Sequence, residues 1–141
     1  MTVPEPRPGL VVRYDYLWAH EAGAGRNQGK DRPACIVAAT DSEIRPRYVV
    51  LLPITHTPPA DETAGVEIPP KVKRALGLDD APSWIILSEH NVDEWPNGGL
   101  SPVPGKPDLF AYGFIPPGLF KRVKAGFLGL ARRNKNATVR R

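Results

Sequence analysis

Apolar residues come in short runs set apart by polar, proline-rich and glycine-rich stretches. Leu10, Val12, Tyr14 and Tyr16 alternate with mixed neighbours, the signature of a half-buried strand. Residues 34–39 and 48–54 are nearly continuous in apolar character and are joined by a polar turn around Asp41, Ser42 and Glu43, which predicts an antiparallel pair. Val66, Glu67 and Ile68 predict a shorter strand, residues 83–88 another, and residues 109–115 the last.

Helical spacing occurs twice. Pro69-Pro70 opens a brief segment in which Val72, Ala75 and Leu76 share a face and Gly77 suits the cap. Pro116-Pro117 opens a longer one, with Leu119, Val123, Phe127 and Leu130 forming an apolar stripe suited to core packing. Residues 19–31 hold Gly23, Gly25 and Gly29 among charged and amide residues without periodicity, so a mobile surface loop is expected there. The polar, basic stretch 132–141 is expected to fray, and residues 1–8 form a proline-rich arm.

The pattern predicts a mainly β, α+β chain folding as one domain over residues 1–141, a size that supports a single modest core. The 17 prolines favour short strands and structured loops over long helices. No apolar run approaches the roughly 20 residues of a membrane span, and the start lacks a signal-peptide apolar region, so a cytoplasmic location is expected. Cys35, the single cysteine, sits inside an apolar run and reads as a small buried hydrophobe.

The net charge of +4 hides an asymmetry. Residues 116–141 carry eight Lys or Arg and no acid, which leaves 11 basic against 15 acidic residues elsewhere, a body of −4. Basicity alone is therefore weak support for a nucleic-acid surface on the body.

Several chemistries fail on spacing. Residues 24–31 depart from the phosphate-loop pattern at both ends, with Ala24 for the first glycine and Asp31 where a hydroxyl would hold a metal. The dinucleotide pattern fails at Gln28. His20, His56 and His90 are isolated from one another and from any Cys or carboxylate cluster, so no metal site is expected, and no nucleophile elbow is present.

What remains is an ordered set of short motifs. Gly29 precedes Arg32-Pro33 at the head of one strand, and Pro53-Ile54-Thr55 closes the next. Gly77-Leu78, an acid at Glu89 after a strand, and Tyr112-Gly113-Phe114 before a C-terminal helix follow in order. This arrangement resembles the PemK/MazF toxin endoribonucleases of type II toxin-antitoxin systems, over roughly residues 9–130. The segment 97–107 reads as an addition to that pattern, and the first loop as longer.

The resemblance implies an SH3-like small barrel of the PemK/MazF/CcdB type, with a short helix after the fourth strand and a C-terminal helix. It implies a cytoplasmic homodimer, inhibited by a cognate antitoxin, that arrests growth by cutting single-stranded RNA such as mRNA. The cut needs no metal or other cofactor: the 2′-hydroxyl attacks the neighbouring phosphate, leaving a 2′,3′-cyclic phosphate and a 5′-hydroxyl. Arg32, Thr55, His56 and Glu89 are the expected catalytic residues, and His20, Asn27, Gln28, Lys30 and Thr57 the expected substrate-binding ones.

The residues are compatible with that chemistry. A guanidinium forks onto the oxygens of a developing phosphorane, and a threonine hydroxyl can donate to them. Arg32 is a poor base because its pKa lies above about 12, so the proton acceptor stays open among His56, Glu89 and His20. Two other readings exist. A gyrase-poisoning toxin of the CcdB type is disfavoured by the ending Thr138-Val139-Arg140-Arg141. A non-catalytic SH3-like module would hold RNA or a protein on Trp18, Trp84 and Trp95.

Overall fold

Three strands carry the molecule. In the computed structural model, which describes residues 3–141, β1 (Leu10–Tyr16), β2 (Lys30–Ala39) and β3 (Tyr48–Thr55) pair antiparallel in the order β1-β2-β3. The near-continuous apolar runs of β2 and β3 have a simple cause, since both faces are covered, and the alternating β1 is likewise buried on its second face at Val11. Val11, Cys35 and Leu52 point into one cluster, and Val12, Ala34 and Leu51 into another.

The first cluster is closed by α3 (Pro117–Arg132), whose Leu119, Val123 and Leu130 are buried as the stripe predicts, with Phe127 partly so. Gly126 lets that helix approach closely, because a Cβ there would lie 2.6 Å from Leu87 Cδ1. The second cluster gathers Tyr14, Tyr16, Ile36, Val49 and Trp95. Trp95 Nε1 donates to the Pro4 carbonyl at 3.1 Å, which ties down the N-terminal arm.

Strand β3 divides its free edge between two partners. Tyr48 to Leu51 pair with β6 (Glu89–Glu94), whereas Ile54 and Thr55 pair with β5 (Trp84–Ile86), which in turn pairs with β4 (Gly65–Glu67). β1 similarly meets β8 (Ala111–Phe114) at one end and β7 (Leu100–Ser101) at the other. The short helix α2 (Pro70–Leu76) follows β4 and ends at Gly77 in the left-handed region, φ +70°.

The sheet curls but is not closed. Tyr14 Oη donates to Asp93 at 2.7 Å and Tyr16 Oη to Glu89 at 3.1 Å, so side chains, and not a backbone ladder, join β1 to β6. Buried Asn91 adds a third link, pairing with both the amide and the carbonyl of Leu17. The architecture is thus α+β, mainly β, with nine strands in one mixed sheet, three α-helices and one short 3-10 helix (Glu62–Ala64) among the described residues.

Several expectations need correction. The loop expected over residues 19–31 contains a helix, α1 (Ala19–Gly23), whose first turn is held by the Glu21 carboxylate accepting from the Trp18 amide at 3.1 Å. The tail expected to fray forms β9 (Ala137–Arg140), parallel to β6, with Val139 buried. β6 itself falls in a polar run without alternation, because its side chains mostly bond to neighbours instead of filling a core. No helix among the described residues is long and apolar enough to cross a membrane.

Candidate active site

Arg32 stands near the start of β2, opposite Tyr14 of β1. Pro33 follows it, fixing the backbone where the side chain departs. The Arg32 guanidinium carbon lies 5.2 Å from the centroid of the Trp18 ring, and Trp18 meets Tyr16 edge-on, with centroids 5.3 Å apart. Such a stack is worth about 0.5–2 kcal/mol, more as water is excluded, and it orients the planar cation. Burial pulls Arg32 below its ordinary pKa, with Glu21 and Tyr16 opposing the shift, and its Nε is buried without a protein partner.

Thr55 ends β3 opposite Trp84 and is half-buried. Its Oγ1 accepts from the Thr57 amide at 3.2 Å, closing a turn, and its own hydroxyl proton stays free to donate. Two cavities adjoin at this point. The first, about 550 Å³, is lined by Arg13, Lys30, Arg32, Thr55, His56 and Tyr112 among others. The second, about 570 Å³, is lined by Trp18, His20, Pro58, Pro59, Ile86 and Glu89. Arg32, Thr55 and Thr57 belong to both, so these three side chains form the waist between them.

The structure therefore gathers most of the expected residues and sorts them. His56 and Lys30 line the first cavity, His20 and Glu89 the second. Glu89 has structural work as well, since its Oε1 accepts from Tyr16 Oη and from the Ala19 amide at 2.9 Å. That contact and burial push the Tyr16 hydroxyl far above its ordinary pKa, burial being the larger cause. Asn27 and Gln28 line neither cavity, and the Asn27 carbonyl accepts from Arg141 at 3.2 Å.

Other participants were not expected. His56 Nε2 lies 2.8 Å from Asp79, which in turn holds Lys73 at 2.6 Å. Arg13 donates to Tyr112 Oη at 3.2 Å on the wall of the first cavity. Twenty-odd residues separate His56 from Asp79, and no sequence spacing links a strand end to a turn beyond α2; only the acidic pair Asp79-Asp80 after Gly77 hinted at a polar turn. Among the described residues, no three His, Cys, Asp or Glu side chains converge as metal ligands do.

The first cavity carries Arg13, Lys30 and Arg32 against Asp31 and Asp79, and Asp79 is already engaged by Lys73 and His56. The local balance favours an anion. Beside it, the second cavity offers an indole and two prolines, surfaces suited to a flat, weakly polar group. No family model matches the chain, and no curated protein matches it.

Proposed function

We propose that the chain is a metal-independent endoribonuclease of the PemK/MazF kind, cutting single-stranded RNA by attack of a ribose 2′-hydroxyl on the adjacent phosphate. The observation that carries this reading is the position of Arg32 and Thr55 at the waist shared by two cavities. A strand of RNA crossing the waist presents its scissile phosphate to both side chains, with one nucleotide on each side. The Arg32 guanidinium, already stacked on Trp18, forks onto the non-bridging oxygens, and the Thr55 hydroxyl donates to one of them.

An in-line displacement needs its attacking and leaving oxygens on opposite sides of phosphorus. The sorting of His56 to one cavity and of Glu89 and His20 to the other suits that demand. Arg13 and Lys30 would take flanking phosphates, while the Trp18, Pro58 and Pro59 surface would take a base. In this reading the curled sheet is an SH3-like barrel variant, and the chain is a cytoplasmic homodimeric toxin that an antitoxin silences by covering the waist.

The test is cleavage of end-labelled single-stranded RNA by the purified protein, with and without EDTA. The expected products end in a 2′,3′-cyclic phosphate and a 5′-hydroxyl, form equally with chelator, and fall by about 10²–10³-fold for Arg32→Ala. A gel shift without products would favour a binding module instead, and more than a tenth of wild-type activity in Arg32→Ala would remove Arg32 from the mechanism.

A further inference from the structure

The end of β3 and the turn after α2 bring together three side chains that lie far apart in sequence. His56 Nε2 is 2.8 Å from Asp79 Oδ2. The other oxygen, Asp79 Oδ1, accepts from Lys73 Nζ at 2.6 Å and from the Ala81 amide at 3.2 Å. Lys73 is only 4% exposed and also donates to Ser83 Oγ at 2.8 Å and to the Ala81 carbonyl. The carboxylate is thus fixed from behind by a buried cation and a backbone amide, with one oxygen turned to the imidazole.

The Lys73 hydrogen bond is the leading reason that the Asp79 carboxyl lies below its ordinary pKa, so it is ionised at neutral pH. An ionised carboxylate only accepts. A neutral imidazole bonded to it through Nε2 must carry its proton there, which leaves the lone pair on Nδ1. His56 and Asp79 are 58% and 56% exposed, so their contact adds little to stability in water; its consequence is orientation and tautomer.

We infer that Asp79, anchored by Lys73, is a positioning residue that holds His56 in its Nε2–H tautomer, so that His56 Nδ1 is the proton acceptor of the reaction. The inference rests on the transesterification reading above. His56 shares the first cavity with Arg32 and Thr55, whereas Glu89 already spends Oε1 on two donors and lines the other cavity. In the step, the 2′ O–H bond breaks and its proton passes to Nδ1 as the O2′–P bond forms. The P–O5′ bond breaks with its electron pair on O5′, which takes a proton from solvent, and the imidazolium later returns its proton to water.

Two readouts test this on the full chain. Nitrogen-15 NMR of histidine-labelled protein should show His56 as the Nε2–H tautomer in the wild type and as a mixture in Asp79→Asn, whose amide can donate as well as accept. Cleavage should fall about 10- to 100-fold in Asp79→Asn and about 10²–10⁴-fold in His56→Ala, with the double variant no slower than His56→Ala. An Nδ1–H tautomer in the wild type, an unchanged tautomer in Asp79→Asn, or a further loss in the double variant would overturn the inference. A wild type that cuts no RNA would instead overturn the reaction and the proton-acceptor role with it, while the NMR result alone still decides Asp79's hold on His56.

Discussion

Arg32 lies 5.2 Å over Trp18, and Trp18 leans edge-on against Tyr16, whose hydroxyl is fixed by Glu89. The cation at the waist is therefore braced by a file of side chains running from β2 to β6. Lysine cannot replace it there, because an ammonium has no flat face to stack and no fork to present to a phosphate. Arg32→Lys is expected to lose about 10²-fold or more in RNA cleavage while its melting temperature changes little, measured by product formation and thermal unfolding.

Trp18 should matter through Arg32 as well as through the base its surface would take. Removing the ring releases the guanidinium to solvent and forfeits an orientation worth about 1–2 kcal/mol, so Trp18→Ala is expected to lower kcat/KM by about tenfold. In an Arg32→Ala background the same change should cost less, because the partner it braces is gone. A double-mutant cycle on cleavage rates reads that coupling.

Cys35 is fully buried among Val11, Val37, Leu52 and Ile54, and burial pushes its thiol up to about 12. Because the thiolate is the reactive form, the native protein should resist a thiol-specific reagent at pH 8 and react fully once denatured. The count of modified thiols by mass spectrometry checks this.

The strands that form the waist were legible because their apolar runs satisfy both faces of a covered sheet, and α3 because its stripe keeps helical spacing. What stayed hidden is what polar side chains build. The hydrophobic pattern predicts no strand over Glu89 to Glu94, a polar run, yet Asn91 and Asp93 hold β6 against the β1 end by hydrogen bonds that such a pattern does not record. The basic tail reads as solvated, yet Val139 is buried and Arg141 is wrapped by acceptors. Within the site, Arg32 and Thr55 sit beside local cues, a proline and a strand end. His56 and Asp79 meet only through tertiary packing.

Arg141 supplies the next expectation. Its Nη1 donates to Tyr14 Oη at 3.2 Å and Asn91 Oδ1 at 3.0 Å, and its Nη2 to the Asn27 carbonyl at 3.2 Å. The same stretch is pinned at Gly29, whose amide donates to Asp15 Oδ1 at 2.6 Å and where a Cβ would meet the Tyr16 carbonyl at 1.9 Å. Arg141→Ala removes one of these two ties. A charge-assisted bond is worth about 1.5–3 kcal/mol, so amide exchange over residues 24–29 should quicken about tenfold or more while exchange in β2 holds, as hydrogen-exchange mass spectrometry will show.

The contact between β6 and β9 should loosen in mild acid. His90 Nε2 lies 3.1 Å from Thr138 Oγ1, its ring meets Phe127 edge-on at 5.3 Å, and its Nδ1 is buried without a partner. Burial is the main cause that lowers its pKa below the ordinary 6.5, with Arg140 acting in the same direction and Asn136 against it. The folded state thus binds a proton less readily than the unfolded chain. Stability from this group is complete above pH 6.5 and is lost as pH falls through the depressed folded value. His90→Gln can keep a hydrogen bond to Thr138 and does not titrate. Between pH 8 and pH 5 the wild type should therefore lose more melting temperature than His90→Gln. Parallel pH curves for the two proteins would show that His90 does not govern this seam.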